Sequence, residues 1–348
     1  MRKRRILMAA SIGLAATLTM ARPAAAQFYE QHTLQTDATD PTLLNAWGLV
    51  SGPGTPWWVV NNGDNSSTLY TGAGVRTGPN DLRVAVPGGP TGIVFNGASS
   101  FTLPATGAVA RFIFSTEGGE IYAWAGGEVA TAVALGGSGA IYKGLAIDAA
   151  ATRIYATNFS AGTVDTYDAA WQPILMDRFR DPSIPAGYAP FGIQTIGSIV
   201  YVTYALQDEA KEDDVPGVGH GFVNAFDADG NFIRRVASRG PLNSPWGIAL
   251  APADFGAFSN DLLIGNFGDG KIQAFDPAAI LGNGQYQRAG ILHSADGPPL
   301  RIDGLWALSF GKGVAANGNA NSLYFTAGPD QEQGGAFGFL TAAPKPGQ

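Results

Sequence analysis

The sequence contains no cysteine, three histidines and few charged residues, which make up 14% of its 348 residues. The absence of cysteine excludes disulfide bonds, a thiol nucleophile and cysteine-ligated metals. Because His32, His220 and His293 are far apart in the chain, a histidine-rich metal centre is not expected. The sequence also lacks a Gly-x-Ser-x-Gly elbow, a phosphate-binding loop and a dinucleotide fingerprint.

Long apolar runs are missing too, apart from one at the start of the chain. Residues 2–5 are basic, residues 6–20 are apolar, and residues 24–26 are alanines that match a cleavage site. We interpret residues 1–26 as a signal peptide, with a retained N-terminal anchor as the alternative. The expected protein is periplasmic or secreted and has no membrane span after cleavage.

The charge of the mature chain is strongly acidic. The leader holds five of the 21 basic residues and no acidic one, which leaves 16 basic against 28 acidic residues and a formal net charge of −12. This balance argues against nucleic acid and anionic membranes as partners. It is compatible with an exported protein that binds cations.

Glycine and proline are abundant, and a short pattern recurs six times. The chain has 48 Gly and 22 Pro, and 45% of its residues are hydrophobic. The recurring tripeptides are spaced 44–60 residues apart, and each is followed by two further apolar runs rich in β-branched and aromatic residues. They are Trp47-Gly48-Leu49, Thr91-Gly92-Ile93, Lys143-Gly144-Leu145, Phe191-Gly192-Ile193, Trp246-Gly247-Ile248 and Trp306-Ala307-Leu308.

Six copies of a small antiparallel sheet predict an all-β fold, a six-bladed β-propeller over residues 27–340. The glycines would allow the innermost strands to approach the axis closely. The bulky residues before them would pack in the core, with an aromatic ligand platform as the alternative. We expect the segment FYEQHTLQ, residues 28–35, to close the ring on the last blade, and residues 341–348 to form a flexible tail.

The segment SPWGIALAPADFGAFSNDLLIGNFGDGKIQAFD, residues 244–276, resembles an NHL-type propeller repeat. Together with NAWGLV, DGLWALSFG and LYFTAGPDQE, it makes the chain similar to a family of exported bacterial propeller proteins. Some members of that family carry a C-terminal Pro-Glu-Pro sorting tail. This chain ends in TAAPKPGQ, without the hydrophobic helix and basic cluster that such a tail needs.

Propellers usually bind ligands at the axial mouth, where turns from every blade meet. We predict that the residue ending each second strand faces this mouth, together with Asn45, Lys143 and Asp303, which precede first strands. Amide and carboxylate oxygens there suit Ca²⁺, and the alternative is that the asparagines bond turn backbone. The predicted ligand-binding register is Asn61, Glu117, Asn158, Tyr204, Asn266 and Ala327.

The chain also partly resembles the calcium-dependent lactonases of the regucalcin and gluconolactonase group, six-bladed propellers with an axial metal. That resemblance implies a divalent cation held by Glu117, Asn158 and Asn266. The group uses an aspartate as ligand and base where this chain has asparagine, and an amide does not accept a proton at pH 7. Weak catalytic candidates are therefore Glu117, Asp303 and His220.

An acidic run, QDEAKEDD over residues 207–214, interrupts the fourth repeat between its second and third strands. It predicts a loop that is either a solvated charge cluster or a second calcium site, with Asp208, Asp213 and Asp214 as ligands. Three functions remain open: ligand binding at the axial face, metal-assisted hydrolysis or elimination, and a structural role in the cell envelope. The partner would be a small molecule, a polysaccharide or an envelope protein.

Overall fold

The computed structural model describes residues 28–175 and 178–344, and the signal peptide predicted over residues 1–26 lies outside them. The described residues form 24 β-strands and two short 3₁₀ turns, at Asn62–Asp64 and Gly256–Phe258, and contain no α-helix. Within these ranges no helix has the length and apolar character that a bilayer crossing requires. The strands form six small sheets, so the predicted six-bladed β-propeller is confirmed.

Blades 1 to 5 are each built from consecutive antiparallel strands that follow one another from the axis outward. Blade 1 contains β2 (Ala46–Val50), β3 (Trp57–Asn61), β4 (Ser66–Tyr70) and β5 (Arg83–Ala85). Blade 2 contains β6 (Pro90–Phe95), β7 (Phe112–Thr116), β8 (Glu120–Trp124) and β9 (Thr131–Leu135). Blade 3 contains β10 (Tyr142–Ile147), β11 (Arg153–Asn158) and β12 (Thr163–Asp168). Blade 4 contains β13 (Tyr188–Ile196), β14 (Ile199–Leu206), β15 (Phe222–Phe226) and β16 (Phe232–Ser238). Blade 5 contains β17 (Pro245–Leu250), β18 (Leu262–Asn266), β19 (Ile272–Ile280) and β20 (Tyr286–Ile291).

The sixth blade joins the two ends of the chain. It contains β22 (Leu305–Phe310), β23 (Leu323–Ala327), β24 (Ala336–Ala343) and β1 (Phe28–Thr36), with the short β21 (His293–Ser294) at its edge. β1 pairs antiparallel with β24 along its whole length, so the predicted closure by residues 28–35 is confirmed. β24 continues to Ala343, so residues 341–343 of the tail predicted over 341–348 belong to the blade, and residues 345–348 lie outside the described residues.

All six tripeptides lie in the innermost strand of a blade. In each of these strands the pairing with the second strand shifts register at the tripeptide, as in a β-bulge. A β-carbon on Gly48, Gly92, Gly192 or Gly247 would lie 2.2–2.5 Å from a backbone atom of the next blade. The glycines therefore permit backbone contact between blades, as the sequence predicts.

Threonine hydroxyls join neighbouring blades beside these contacts. Thr157 Oγ1 of blade 3 donates a hydrogen bond to the carbonyl of Phe191 in blade 4 at 2.7 Å. Thr326 Oγ1 of blade 6 donates to the carbonyl of Trp47 in blade 1, across the closure of the ring. Both bonds are buried, so they stabilise the spacing that the glycines allow.

Replacing one of these glycines tests the packing directly. In Gly192→Ala the new β-carbon would lie 2.2 Å from the carbonyl oxygen of Trp246. We expect a loss of about 1–3 kcal/mol in the free energy of unfolding, measured by chemical denaturation, because the blades must separate to accept the methyl group.

Gly282→Ala is the matched control, since a β-carbon at Gly282 has open space around it. This variant should unfold within about 0.5 kcal/mol of the wild type. Equal effects of the two substitutions would contradict the backbone contact at the axis.

Candidate functional site

The axial mouth lies where the innermost strands begin, and one hydrogen bond repeats there in all six blades. The residue after each second strand donates its backbone N–H to the carbonyl of the residue before the first strand, at 2.7–3.1 Å. This bond defines equivalent positions around the axis. The six donors are Asn62, Glu117, Phe159, Gln207, Phe267 and Gly328.

This hydrogen-bond register and the register predicted from the sequence differ in five of the six blades. Glu117 belongs to both registers. Asn61, Asn158, Asn266 and Ala327 each come one residue before the backbone donor of their blade, and Tyr204 comes three residues before Gln207. Asn61, Asn158, Asn266 and Ala327 end their second strands as predicted, whereas β7 ends at Thr116 and β14 at Leu206.

The three asparagines are engaged in local hydrogen bonds. Asn158 Oδ1 accepts from the backbone N–H of Ala161 at 3.3 Å, and Asn266 Nδ2 donates to the carbonyl of Pro241 at 2.8 Å. Asn61 is fully buried and donates to hydroxyls of β4. Turn contacts, the alternative expected for these residues, are thus present for Asn158 and Asn266.

Three further candidates have hydrogen-bond partners of their own. Tyr204 is buried in blade 4, and its hydroxyl donates to the carbonyl of Phe179 at 3.5 Å. Asp303 is exposed and accepts the N–H of Asp330 at 3.0 Å. His220 places Nδ1 2.8 Å from a carbonyl of its own loop. The binding role predicted for Tyr204 and the catalytic roles predicted for Asp303 and His220 stay predictions.

Lys143 lies at the centre of the mouth. Its side chain is 2% exposed, and Nζ lies 2.5 Å from Glu117 Oε1 and 2.7 Å from Asp213 Oδ1. Burial alone would lower the pKa of Lys143, but the two carboxylates reverse this effect and raise the pKa. The ammonium group is therefore held in its charged form between blades 2 and 4.

The acidic run lies between β14 and β15, as predicted, and folds toward the axis. Asp208 Oδ1 accepts the N–H of Glu212 at 2.9 Å and so closes the loop on itself. Asp213 then reaches Lys143. The axial candidate Glu117 and the loop candidate Asp213, which the sequence assigned to alternative sites, meet at one ammonium group.

Glu332 is a mouth residue that sequence reasoning missed. It lies in the β23–β24 loop, and Asn45 Nδ2 donates to its Oε2 at 2.6 Å. Burial, and then the nearby Asp213 and Glu117 carboxylates, raise the pKa of Glu332, although Asn45 and Lys143 oppose this. Its loop follows the second strand of blade 6, as Glu117 follows that of blade 2, so a correct alignment of repeats would have suggested it.

Asp214 follows Asp213 in the β14–β15 loop and is partly buried. Burial raises its pKa to about 6, against the opposing influence of Ser244 and Lys143. Its Oδ2 atom has no hydrogen-bond partner among the described residues. The charged form of Asp214 is therefore poorly stabilised at neutral pH.

Aromatic rings form the floor beneath these charges. The Trp306 ring is stacked between Trp47, with centroids 3.6 Å apart, and Phe267, at 3.9 Å. Lys143 Nζ lies 5.4 Å from the centroid of Trp47. Trp47, Trp306 and Phe191 are at most 2% exposed, so their core-packing role is confirmed, whereas Trp246 is partly exposed.

The predicted metal ligands Glu117, Asn158 and Asn266 include two asparagines, and the calcium site stays a prediction. Across residues 28–175 and 178–344, no three His, Asp or Glu side chains are grouped as a metal ion would require. The Lys143 ammonium stands between Glu117 and Asp213, where it supplies the positive charge that paired carboxylates need.

The fold and the site define a six-bladed β-propeller with an acidic axial mouth organised by one buried lysine. No family model matches the sequence. The chain is 31% identical over 320 residues to uncharacterized protein L690 of Acanthamoeba polyphaga mimivirus, which covers 86% of this chain and 81% of that protein. It is 32% identical over 329 residues to uncharacterized protein R648 of the same virus, and this match covers 88% of this chain and 77% of that protein. The chain belongs to the family of these proteins.

Solved structures show the same fold at low sequence identity. Virginiamycin B lyase from Staphylococcus aureus has a TM-score of 0.53 and 13% identity, with 90% of this chain and 100% of that chain covered. A streptogramin B lyase has a TM-score of 0.54 and 12% identity, and the match covers 91% of this chain and 98% of that chain. Since the sequence relatives are viral, the resemblance to NHL repeats and to an exported bacterial family is not confirmed.

The buried Asp214 makes stability depend on pH. Its pKa is about 6 in the folded protein and about 4 in the unfolded chain, so the folded state binds the proton more tightly. Stability from this group is present at low pH and is lost as pH rises through 6. We expect Asp214→Asn to stabilise the protein by about 1–3 kcal/mol at pH 7.5 and by almost nothing near pH 3.5, in thermal or chemical unfolding.

Asp296→Asn, at an exposed position, is the charge-matched control and should leave stability unchanged at both pH values. Destabilisation by Asp214→Asn at pH 7.5 would show that the carboxylate is a stabilising anion, contrary to its burial.

Proposed function

We propose that the protein is a binding protein whose ligand brings a positively charged group to the axial mouth. The observation that carries this proposal is the charge imbalance around Lys143. One ammonium group faces the carboxylates of Glu117 and Asp213 directly, and the carboxyl groups of Glu332 and Asp214 lie near enough to influence them.

Excess negative charge is costly in this setting. The mutual effect of the carboxyl groups is visible in Glu332, whose pKa is raised by burial and also by Asp213 and Glu117. A cation from a ligand would offset this repulsion, so binding would be favourable where the charges are only partly screened by water. The acidic mature chain would also attract such a ligand from a distance.

The surroundings of Lys143 also suit a cationic ligand. The Asp213 side chain is 74% exposed and that of Glu117 is 32% exposed, so both offer free lone pairs to a second donor. Phe267, at the edge of the aromatic floor, is partly exposed. A primary amine or a basic side chain could bond the carboxylates and place its methylene groups on this ring.

A titration with spermidine tests the proposal. We expect saturable binding by isothermal titration calorimetry at about 150 mM salt, where weak long-range attraction is screened. Glu117→Gln and Glu332→Gln should each weaken binding about tenfold, because each removes one of the carboxylates of the mouth.

Glu128→Gln provides the charge-matched control, since Glu128 is exposed in the β8–β9 turn of blade 2 and takes no part in the mouth. Equal losses in all three variants would mean nonspecific attraction to an acidic protein. Absence of binding in the wild type would refute a cation-binding mouth. Melting temperatures of the variants will separate lost binding from lost folding.

Metal-assisted hydrolysis receives less support from the geometry. Its proposed ligands Asn158 and Asn266 are engaged in turns, and Lys143 bonds Glu117. The lyase names of the structural neighbours are not carried over either, because at 12–13% identity the likeness concerns the fold. Calcium stays a prediction, and native mass spectrometry before and after chelation would test it.

Export remains part of the proposal and rests on the leader sequence of residues 1–26. Expression of the full chain in a bacterial host, followed by N-terminal peptide mapping, would test it. A mature protein that begins at Gln27 supports export, whereas an intact leader on intracellular protein would contradict it.

A further inference from the structure

The β14–β15 loop of blade 4 carries apolar side chains directly after its acidic run. Residues 215–218, Val-Pro-Gly-Val, follow Asp214 and are called here the apolar rim. Val215 is 36% exposed and Val218 is 82% exposed, whereas valine is among the residues most often fully buried in proteins. The rim therefore presents apolar surface that the described residues leave uncovered.

Val215 lies beside a carboxylate of the mouth. The backbone N–H of Val215 donates to the carbonyl of Leu206 at 2.8 Å. Asp208 donates in the same way to the carbonyl of Asp213 at 2.8 Å, so the chain from Asp213 to Val215 is extended along β14. Alternate residues of an extended segment share a face and lie about 6.5 Å apart. The Val215 side chain is therefore on the same face as that of Asp213, which reaches the lysine of the mouth.

The backbone on both sides of Val218 is held against the start of blade 5. Gly217 donates its N–H to Asn243 Oδ1 at 2.6 Å, and Gly219 donates to the carbonyl of Leu242 at 2.8 Å. Hydrogen bonds thus hold the chain in place while the side chain between them stays exposed. An apolar side chain presented in this way loses little further freedom when a partner covers it.

The rim also adjoins the turn that carries part of the aromatic floor. Pro216 packs on the turn after β18, where a β-carbon on Gly268 would lie 3.0 Å from Cβ of Pro216. The preceding residue, Phe267, is partly exposed and stacks on Trp306 with centroids 3.9 Å apart. Apolar groups therefore flank the acidic mouth on the side of blades 4 and 5.

We propose that the mouth and the apolar rim together bind a segment of a partner polypeptide in which a lysine or arginine is flanked by apolar residues. The inference rests on the cation-binding mouth proposed above. The basic side chain would pair with Glu117 and Asp213, and its apolar neighbours would contact Val215 and Val218. An extended segment suits the surface, because the apolar groups are spread along residues 215–218 beside the carboxylates. The acidic mature chain favours a basic partner.

Three blocked tripeptides test the assignment in isothermal titration calorimetry at about 150 mM salt. Acetyl-Val-Lys-Val-amide carries both the cation and the apolar flanks. Acetyl-Gly-Lys-Gly-amide lacks the flanks, and acetyl-Val-Gln-Val-amide lacks the charge. We expect Val-Lys-Val to bind with a dissociation constant below about 1 mM and about fivefold or more tightly than either of the others, because partial burial of its valines adds to the ion pairing.

Val218→Ser and Val75→Ser form a matched pair of variants. Both valines are exposed, at 82% and 61%, so neither change should lower the melting temperature by more than about 2 °C. Val75 lies in the β4–β5 connection of blade 1, outside the rim. In Val218→Ser the preference for Val-Lys-Val over Gly-Lys-Gly should fall below about twofold, whereas Val75→Ser should keep it.

The outcomes separate this inference from the proposed function. If neither spermidine nor either lysine peptide binds, the cation-binding mouth fails and the partner assignment fails with it. If spermidine and Gly-Lys-Gly bind but the valine flanks add nothing, or if Val218→Ser keeps the preference, only the partner assignment is overturned. Equal binding of Val-Gln-Val and Val-Lys-Val would also overturn it, because the rim would then act without the mouth. Tighter binding of hexylamine than of Val-Lys-Val would assign the surface to a small amphiphilic amine instead of a polypeptide.

Discussion

The close approach of the six innermost strands at the axis is the constraint on which the rest of the structure depends. A β-carbon at Gly192 would lie 2.2 Å from the backbone of the next blade, and three other glycines are nearly as crowded. This contact sets the radius of the ring. It therefore decides how close the turns of different blades come to one another at the mouth.

The tight ring has an electrostatic consequence at its mouth. Blades 2, 4 and 6 each bring a carboxylate toward Lys143 of blade 3, so groups that are distant in the chain share one small, partly desolvated region. The pKa of Lys143 rises because it has carboxylates as neighbours, and those of Asp214 and Glu332 rise because burial disfavours their charge. The mouth thus holds more negative charge than its own lysine balances.

The two ends of the axis differ in chemistry although the same strands form both. The starts of these strands carry an acidic mouth around the paired Lys143, and their ends carry a cavity whose lining includes Lys312 and no aspartate or glutamate.

The sequence by itself determined the number of blades, the strand order and the closure by residues 28–35, because spacing and strand composition are local properties that repeat along the chain. Glu117 and the place of the acidic loop could be predicted for the same reason. Only the tertiary structure decided which side chains meet. Asn158 and Asn266 make hydrogen bonds with turn backbone, and the pairing of Lys143 with Asp213 depends on distances across the ring. Side-chain direction and through-space contact follow from the packing of all six blades, which no single repeat encodes.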